Sequence, residues 1–154
     1  MKYYEEVKLP SFNKISFYRE LVKLQPLMQD RTFLAKGWKS LDLVQNGKSK
    51  RILTTCIIVQ NWLNKLSNYG LYFNTVYVAI LESKGYIDWH VDQKHDIMSK
   101  AINLYIKTND NSFIEFDDKF IWKPEEGKAY KFRADIKHRV INISKEIRMV
   151  INLC

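Results

Sequence analysis

The chain after Gly70 consists of short segments rich in β-branched and aromatic residues, and this pattern restricts the fold more than any other feature. Turn-forming residues such as Gly85, Asn111 and Asp135 separate the segments. Short segments of this kind predict an antiparallel barrel or sandwich, here an eight-stranded jelly roll. The predicted strands are 72–81, 86–90, 101–106, 113–116, 120–123, 129–132, 139–143 and 147–153.

The first 70 residues show helical periodicity instead. Apolar residues recur at helical intervals from Asn13 to Gln29, with Pro26 near the end, and again from about Leu53 to Leu66. Ile57 and Ile58 are expected on the apolar face of the second helix, although β-branched residues in this segment also favour a strand. We therefore predict an α+β protein in which two or three N-terminal helices brace one face of the barrel.

Length and composition favour one compact domain. The chain has 154 residues, of which 46% are hydrophobic, and it shows no internal repeat or linker, so it can bury a core of its own. We predict a single domain over residues 1–154, with mainly helical support in about 1–70 and the jelly-roll core in about 71–154.

The formal net charge of +8 would suit an acidic partner, but the lysines are scattered along the sequence. The densest basic cluster, 48–51, lacks the interleaved aromatic residues of a groove for single-stranded nucleic acid. Cys56 and Cys154 are the only cysteines, so no disulfide framework or cysteine metal cluster is predicted. Neither a signal peptide nor an apolar stretch of ~18 residues is present, and we expect a cytoplasmic protein that does not associate with membranes.

The chain has only three histidines, so a histidine-based site has few possible members. His90 and Asp92 stand two residues apart at the end of a predicted strand, where side chains i and i+2 point to the same side. His138 begins another strand, which an antiparallel barrel can place beside the first. Two imidazoles and one carboxylate on one face of a metal are diagnostic of non-haem iron(II) oxygenases, because the other positions stay open. We therefore predict an iron(II) site at these three residues.

Other interpretations of these residues remain open. Asp92 is also typical of a turn, and His90 of a histidine that is hydrogen-bonded at a strand end. Zinc at the same three ligands would indicate hydrolysis, and a barrel without turnover would be a structural or sugar-binding jelly roll. His95 and Asp96 form a second metal-like pair, but the polar residues around them indicate a loop.

Arg148 follows His138 by ten residues, on the last predicted strand. Alternation along this strand predicts that Arg148 faces the same way as Val150 and Asn152, with the residues between them on the other face. An arginine that points into a barrel needs an anionic partner, and its planar fork suits a carboxylate. A surface ion pair is the alternative.

With these residues in place, the segment from Tyr77 to Leu153 resembles the 2-oxoglutarate- and iron(II)-dependent dioxygenases, and among them the aspartyl/asparaginyl β-hydroxylases. The resemblance rests on the pair His90-x-Asp92, on Trp122 and Gly127 in a turn, on Phe132 six residues before His138, on Asn142 four residues after it, and on Arg148.

The resemblance implies a double-stranded β-helix, a cupin-like jelly roll, in which His90, Asp92 and His138 bind iron(II). It implies 2-oxoglutarate and O2 as cosubstrates, with the distal carboxylate of 2-oxoglutarate bound by Arg148.

One position departs from that group, which carries an arginine and a histidine on the third barrel strand. This chain has Ala101 and Asn103 there. Asn103 is expected to donate a hydrogen bond to the cosubstrate, and Tyr105 or Lys100 to replace the arginine.

The activity that the resemblance implies is hydroxylation of a C–H bond. Relatives of this fold act on protein side chains, on amino acids or peptides, and on nucleic-acid bases. Relatives that dealkylate nucleic acids carry two arginines after the second histidine. Here Arg148 alone has a suitable spacing, and Arg139 is expected to face away. We therefore expect a protein, peptide or amino-acid substrate, with a nucleic-acid-directed oxygenase and a non-catalytic binding or structural jelly roll as alternatives.

Overall fold

The computed structural model describes residues 2–31, 34–92 and 98–154. In these ranges the chain forms two α-helices, α1 (Lys14–Val22) and α2 (Ile57–Leu66), and 3-10 helices at Gln25–Leu27, Arg51–Thr55 and Ser67–Tyr69. The strands are β1 (Tyr4–Val7), β2 (Gln29–Asp30), β3 (Ala35–Gln45), β4 (Lys48–Ser49), β5 (Val76–His90), β6 (Ile102–Lys107), β7 (Ser112–Phe116), β8 (Ile121–Trp122), β9 (Ala129–Phe132), β10 (His138–Asn142) and β11 (Arg148–Leu153).

Helix α1 begins after Asn13, whose side-chain oxygen accepts hydrogen bonds from two N–H groups of the first turn. It ends at Val22, earlier than the predicted end at Gln29. Pro26 has no N–H for the α-helical pattern, and the chain continues as a 3-10 helix. The prediction of one long helix was therefore wrong at its C-terminal end.

Helix α2 begins at Ile57, not at Leu53, because residues 51–55 form a 3-10 helix. The carboxylate of Glu20 in α1 caps α2 by accepting two first-turn N–H groups at 2.8 and 3.0 Å. This turn lies at the surface, and Ile57 and Ile58 are 61% and 46% exposed instead of covering the core. The buried residues of α2 are Val59, Trp62 and Leu66.

The strands pair in the order β1-β9-β6-β11-β5-β10-β7-β8. Strand β5 changes partner along its length, since its first six residues pair with β11 and its last five lie beside β10. Residues 82–85 bulge out between these two parts, opposite Gly37 of β3. The bulge divides the pairing into two four-stranded halves, β9-β6-β11-β5 and β5-β10-β7-β8, which confirms the predicted jelly roll. The two strands predicted at 72–81 and 86–90 are one bulged strand.

The N-terminal region contains strands as well as helices. Strand β1 pairs with β9 at one edge, and the eleven-residue strand β3 pairs with β5 on the other side. Lys36, Gly37, Lys39 and Asp42 interrupt the apolar pattern of β3. Its conformation therefore depends on pairing with β5, which no local pattern reveals.

Buried apolar side chains form two clusters on opposite faces of the sheet. The larger cluster packs α1 and α2 on the outer face, which agrees with the predicted bracing, and includes Phe17, Leu21, Leu43, Val59, Trp62, Leu66, Leu104 and Ile151. The smaller cluster lies inside the jelly roll and consists of Leu81, Tyr105, Ile114, Phe116, Trp122, Tyr130, Val140 and Val150. Among the described residues, no helix is both long enough and apolar enough to cross a bilayer.

Candidate functional site

The structure brings His90, Asp92 and His138 together. The imidazole Nε2 of His90 lies 3.3 Å from Oδ1 of Asp92, and Nε2 of His138 lies 3.3 Å from Oδ2 of the same carboxylate. One ligand atom from each residue lies within 4.8 Å of the others. Two ring nitrogens and one carboxylate thus converge on one small volume, which is the donor set of a divalent metal site.

Strand pairing places the two histidines side by side. His138 is directly opposite His90 in the register of β10 and β5. Between this pair and the pair Val140–Ile87, β5 has one more residue than β10. The extra residue is a bulge, and it turns the side chain of His90 to the same face as Ile87, so that both line the cavity.

Backbone carbonyls fix the orientation of both imidazole rings. Nδ1 of His90 donates to the carbonyl of Asp88 at 2.6 Å, and Nδ1 of His138 donates to the carbonyl of Ile136 at 2.8 Å. Nε2 is the atom that faces Asp92 in each ring, and it can bind a metal when it carries no proton. Second partners of this kind are typical of metal-binding histidines.

The charges in the cluster reinforce one another. Burial alone would raise the pKa of Asp92, but hydrogen bonds from His138 and His90 lower it well below its usual range. Burial alone would lower the pKa of His90, but its bonds to Asp92 and to the Asp88 carbonyl raise it overall. The carboxylate is therefore ionised at neutral pH, as a metal ligand must be.

The cluster lies in a cavity of about 580 Å³ whose wall also contains Arg148. Arg148 is 6% exposed, and its Nε has no hydrogen-bond partner. Its Cζ lies 5.1 Å from the ring centroid of Tyr105, and it forms no ion pair with any described residue. Burial lowers the pKa of Arg148, while the contact with Tyr105 partly offsets this effect. A buried guanidinium without an anion fits a site for a carboxylate ligand.

The remaining predicted residues have the following positions. Asn103, Tyr105 and Lys100 all line the cavity. The alternation predicted for the last strand is confirmed, because Arg148, Val150 and Asn152 face the cavity. The side chains at 149, 151 and 153 belong to the outer cluster. His95 and Asp96 lie outside the described residues.

Arg139 faces away from the cavity, as predicted. Its guanidinium binds the carboxylate of Glu115 at 2.6 and 2.7 Å and lies 4.9 Å from the ring centroid of Trp89. Its charge is thus balanced on the outside of the barrel.

Trp38 and Tyr77 are among the cavity residues that sequence analysis missed. Alternation along the start of β5 could have placed Tyr77 on the same face as Ala79 and Leu81, which also line the cavity. For Trp38 there was no such signal, because β3 was not predicted.

The residues present fit both groups that the sequence predicts. Two imidazoles and an ionised carboxylate fit iron(II), and the buried guanidinium of Arg148, which forms no ion pair with a described residue, fits one carboxylate of a dicarboxylic cosubstrate. The cavity that joins them is walled mainly by apolar side chains, among them Leu81, Ile114, Phe132, Val140 and Val150.

Three solved structures show the same fold at low sequence identity. The viral collagen prolyl hydroxylase of Paramecium bursaria Chlorella virus-1, in its 2-oxoglutarate complex, is 16% identical, with a TM-score of 0.58 over 98% of this chain and 94% of that chain. A Pseudomonas putida prolyl-4-hydroxylase is 11% identical, with a TM-score of 0.57 over 98% and 90%. HygX from Streptomyces hygroscopicus, with nickel and 2-oxoglutarate bound, is 8% identical, with a TM-score of 0.61 over 98% and 81%.

No curated protein matches the chain significantly by sequence. The family model described as Aspartyl/Asparaginyl beta-hydroxylase, however, matches residues 4–153, which is nearly the whole chain. The predicted family and the predicted enzyme class, a hydroxylase, are thereby confirmed. This protein belongs to the aspartyl/asparaginyl β-hydroxylase family.

Proposed function

We propose that this protein is an iron(II)- and 2-oxoglutarate-dependent oxygenase that hydroxylates a C–H bond of a protein, peptide or amino-acid substrate. The observation that carries the proposal is the buried guanidinium of Arg148, which has no anionic partner among the described residues, in the same cavity as the ligand atoms of His90, Asp92 and His138. A metal site alone would serve hydrolysis as well as oxidation. An anion site in the same cavity is what a dicarboxylic cosubstrate requires in addition.

His90, Asp92 and His138 would hold the iron. When bound, iron(II) with 2-oxoglutarate and O2 supplies the oxidising chemistry that inserts one oxygen atom into a substrate C–H bond. The protein's own contribution is to hold both Nε2 atoms and an ionised carboxylate on one side of the metal, so that other positions stay open.

Arg148 would bind the distal carboxylate of 2-oxoglutarate through two parallel N–H···O bonds. Tyr105 packs against the guanidinium and limits its movement, and Asn103 offers a neutral donor to the same ligand. Because the site is buried, each of these contacts is stronger than it would be in water. The cosubstrate would therefore be held in one orientation toward the metal.

The similar structures support the substrate class. Two of them are prolyl hydroxylases by name, one of them solved as a 2-oxoglutarate complex, and HygX was solved with nickel and 2-oxoglutarate bound. A nucleic-acid substrate has less support, because Arg139 is neutralised by Glu115 outside the cavity.

Anaerobic titration of the metal-free protein with iron(II) and then 2-oxoglutarate tests the proposal. Chelation of iron(II) by a 2-oxo acid gives a weak visible charge-transfer band, which we expect for the wild type and not for His138→Ala. Arg148→Gln should keep the iron but bind 2-oxoglutarate about 100-fold more weakly, because a charged bidentate contact in a buried site is lost. Arg139→Gln is the matched control and should bind like the wild type.

The other outcomes identify the alternatives. Equal 2-oxoglutarate affinity in the two arginine variants, or no binding of iron, contradicts the proposal. Hydrolytic activity that requires zinc and survives Arg148→Gln would identify a zinc enzyme. A function that survives His138→Ala would identify a binding or structural jelly roll.

A further inference from the structure

A row of polar side chains crosses the inner face of the sheet at a distance from Arg148. Tyr77 of β5, Asn152 of β11 and Asn103 of β6 are opposite one another in register, and all three line the cavity. Adjacent strands are about 4.8 Å apart, so the row spans about 10 Å. Arg148 lies four residues from Asn152 along β11, or about 13 Å. The row is therefore separate from the anion site.

The side chains of this row have no hydrogen-bond partner among the described residues. Asn103 is only 7% exposed. Asn142, on the neighbouring β10, shows the usual situation of a buried amide, since its Nδ2 donates to three carbonyl groups. Buried polar groups are nearly always paired in native proteins. Tyr77 and Asn152 are partly exposed to the cavity, so their donors and acceptors are accessible to a polar ligand there.

Tyr77 is held in place from the side of β3. The guanidinium Cζ of Arg31 lies 5.4 Å from the ring centroids of both Tyr77 and Trp38, and its Nε donates to Oγ of Ser40 at 2.7 Å. Burial raises the pKa of Tyr77 to about 12, so its hydroxyl is a donor at neutral pH. The negative charge of Asp92 adds to this rise. Tyr77 lines the same cavity as His90, Asp92 and His138.

We propose that Tyr77 and Asn152 form a subsite for the primary substrate that binds a neutral amide, such as a peptide unit, next to the metal centre. This inference rests on the proposed function. A carboxamide presents a donor and an acceptor side by side, which matches the N–H and C=O that one residue of an extended peptide directs to the same side. Tyr77 adds a second donor.

The strand positions of these residues indicate which would bind the cosubstrate and which the primary substrate. Asn103 belongs to the cosubstrate site, and Tyr77 and Asn152 continue its row toward β3. Arg31 is used to hold Tyr77 and Trp38 and to bind Ser40. Tyr77 and Asn152 carry no charge, so this subsite suits the backbone amides of a peptide better than the carboxylate of a free amino acid.

Peptide binding to the zinc-substituted protein, saturated with 2-oxoglutarate, tests the inference without turnover. The probes are acetylated and amidated tripeptides Gly-Xaa-Gly, one for each Xaa, and the same amino acids in free form. We expect saturable shifts of the Asn152 side-chain amide signals in ¹H–¹⁵N spectra with at least one peptide. Asn152→Ala and Tyr77→Phe should each weaken that peptide about tenfold, the effect of one lost hydrogen bond, and change 2-oxoglutarate affinity less than about twofold.

The matched controls are Asn64→Ala, on the surface of α2, and Tyr72→Phe, at a position that is 80% exposed. Both should bind the peptide like the wild type. Asn152→Asp is the second variant if Asn152→Ala unfolds, because it keeps the shape and removes the donor. It should weaken the peptide to a similar extent.

Three results overturn the inference alone. In the first, the wild-type protein binds metal and 2-oxoglutarate but no peptide. In the second, Asn152→Ala loses peptide affinity and 2-oxoglutarate affinity to the same extent. In the third, the protein binds free amino acids in place of peptides. A wild-type protein that binds neither metal nor 2-oxoglutarate overturns the proposed function and this inference with it.

Discussion

Buried polar residues of this barrel have different roles, depending on whether the protein supplies their hydrogen-bond partners. Nδ2 of Asn142 donates to the carbonyls of Leu81, Glu82 and Glu146 at 3.0, 3.1 and 2.8 Å, and its Oδ1 accepts from Ser144. Asn142 thereby joins β10 to the point where β5 begins to bulge. Arg148 lies on β11, on the other side of β5, and its Nε has no hydrogen-bond partner among the described residues. Satisfied polar groups maintain the fold, and unsatisfied ones are available to ligands.

Asn142→Asp tests the structural task. The substitution keeps the shape but places a carboxylate against three carbonyl oxygens, and we expect a loss of about 3 kcal/mol in the free energy of unfolding. Urea denaturation of the metal-free protein measures this loss. Asn64→Asp, at an exposed position of α2, is the control and should change stability by less than about 0.5 kcal/mol. Equal stability of the two variants would show that Asn142 is not needed for the bulge.

At the scale of elements, strand β5 determines the geometry of the site. It contributes to both halves of the jelly roll, and it carries one bulge at residues 82–85 and another between Ile87 and His90. The first changes the partner strand, and the second turns His90 inward. Gly85 makes the first bulge possible, because a Cβ at this position would lie 2.7 Å from the carbonyl oxygen of Lys36 and 2.9 Å from that of Glu82.

Gly85→Ala should lower the free energy of unfolding by about 3 kcal/mol, because the added methyl group meets backbone atoms that cannot move away cheaply. It should also weaken iron(II) binding, since the bulge directs the part of β5 that carries His90. Thermal unfolding and iron(II) titration measure the two effects.

Gly70→Ala separates this steric effect from backbone strain. Gly70 has a φ of +72° but no atom within 4 Å of an added Cβ, so we expect a loss of about 1 kcal/mol and unchanged iron binding. If both glycine variants lose the same stability and bind iron alike, crowding at the bulge is unimportant.

At the scale of the whole molecule, the N-terminal region packs against the barrel and extends its sheet. Strands β1 and β3 extend the half of the sheet that carries Arg148, and the side chain of Glu126 ties α1 to the barrel. Its carboxylate binds Nζ of Lys14 at 2.8 Å and accepts the N–H of Thr108 at 3.0 Å. Burial alone would raise the pKa of Glu126, but these two hydrogen bonds lower it below its usual value of 4.5.

This shift predicts a pH-dependent contribution to stability. A carboxyl group whose pKa is lowered by folding stabilises the native state above its usual pKa, and the stabilisation disappears as the pH falls through the folded-state value. Glu126→Gln should therefore cost about 1 kcal/mol at neutral pH, and the difference from the wild type should vanish in acid. Urea denaturation across the pH range measures it. The control is Glu125→Gln, since Glu125 is 68% exposed and its ion pair with Lys128 contributes little at any pH.

The sequence by itself determined the jelly roll and the members of the candidate site. Strand periodicity is local, so seven of the eleven strands could be predicted, with the first two segments merged into β5. The chain has only three histidines, so His90 and His138, with Asp92 two residues after His90, could be selected from composition and spacing. Alternation within the last strand was enough to turn Arg148 inward, because this strand has a regular period of two up to its end.

Only the tertiary structure decided how these pieces meet. Local patterns do not reveal the partner of a strand, so β1 and β3 could not be predicted without their partners β9 and β5. The position of Trp38 in the cavity wall depends in turn on β3. A bulge reverses the parity of every residue after it, so the inward direction of His90 depended on pairing with β10. That Arg148 Nε and the side chain of Asn152 have no hydrogen-bond partner among the described residues is likewise a property of the assembled cavity, because a hydrogen bond can be missing only relative to the neighbours that the fold provides.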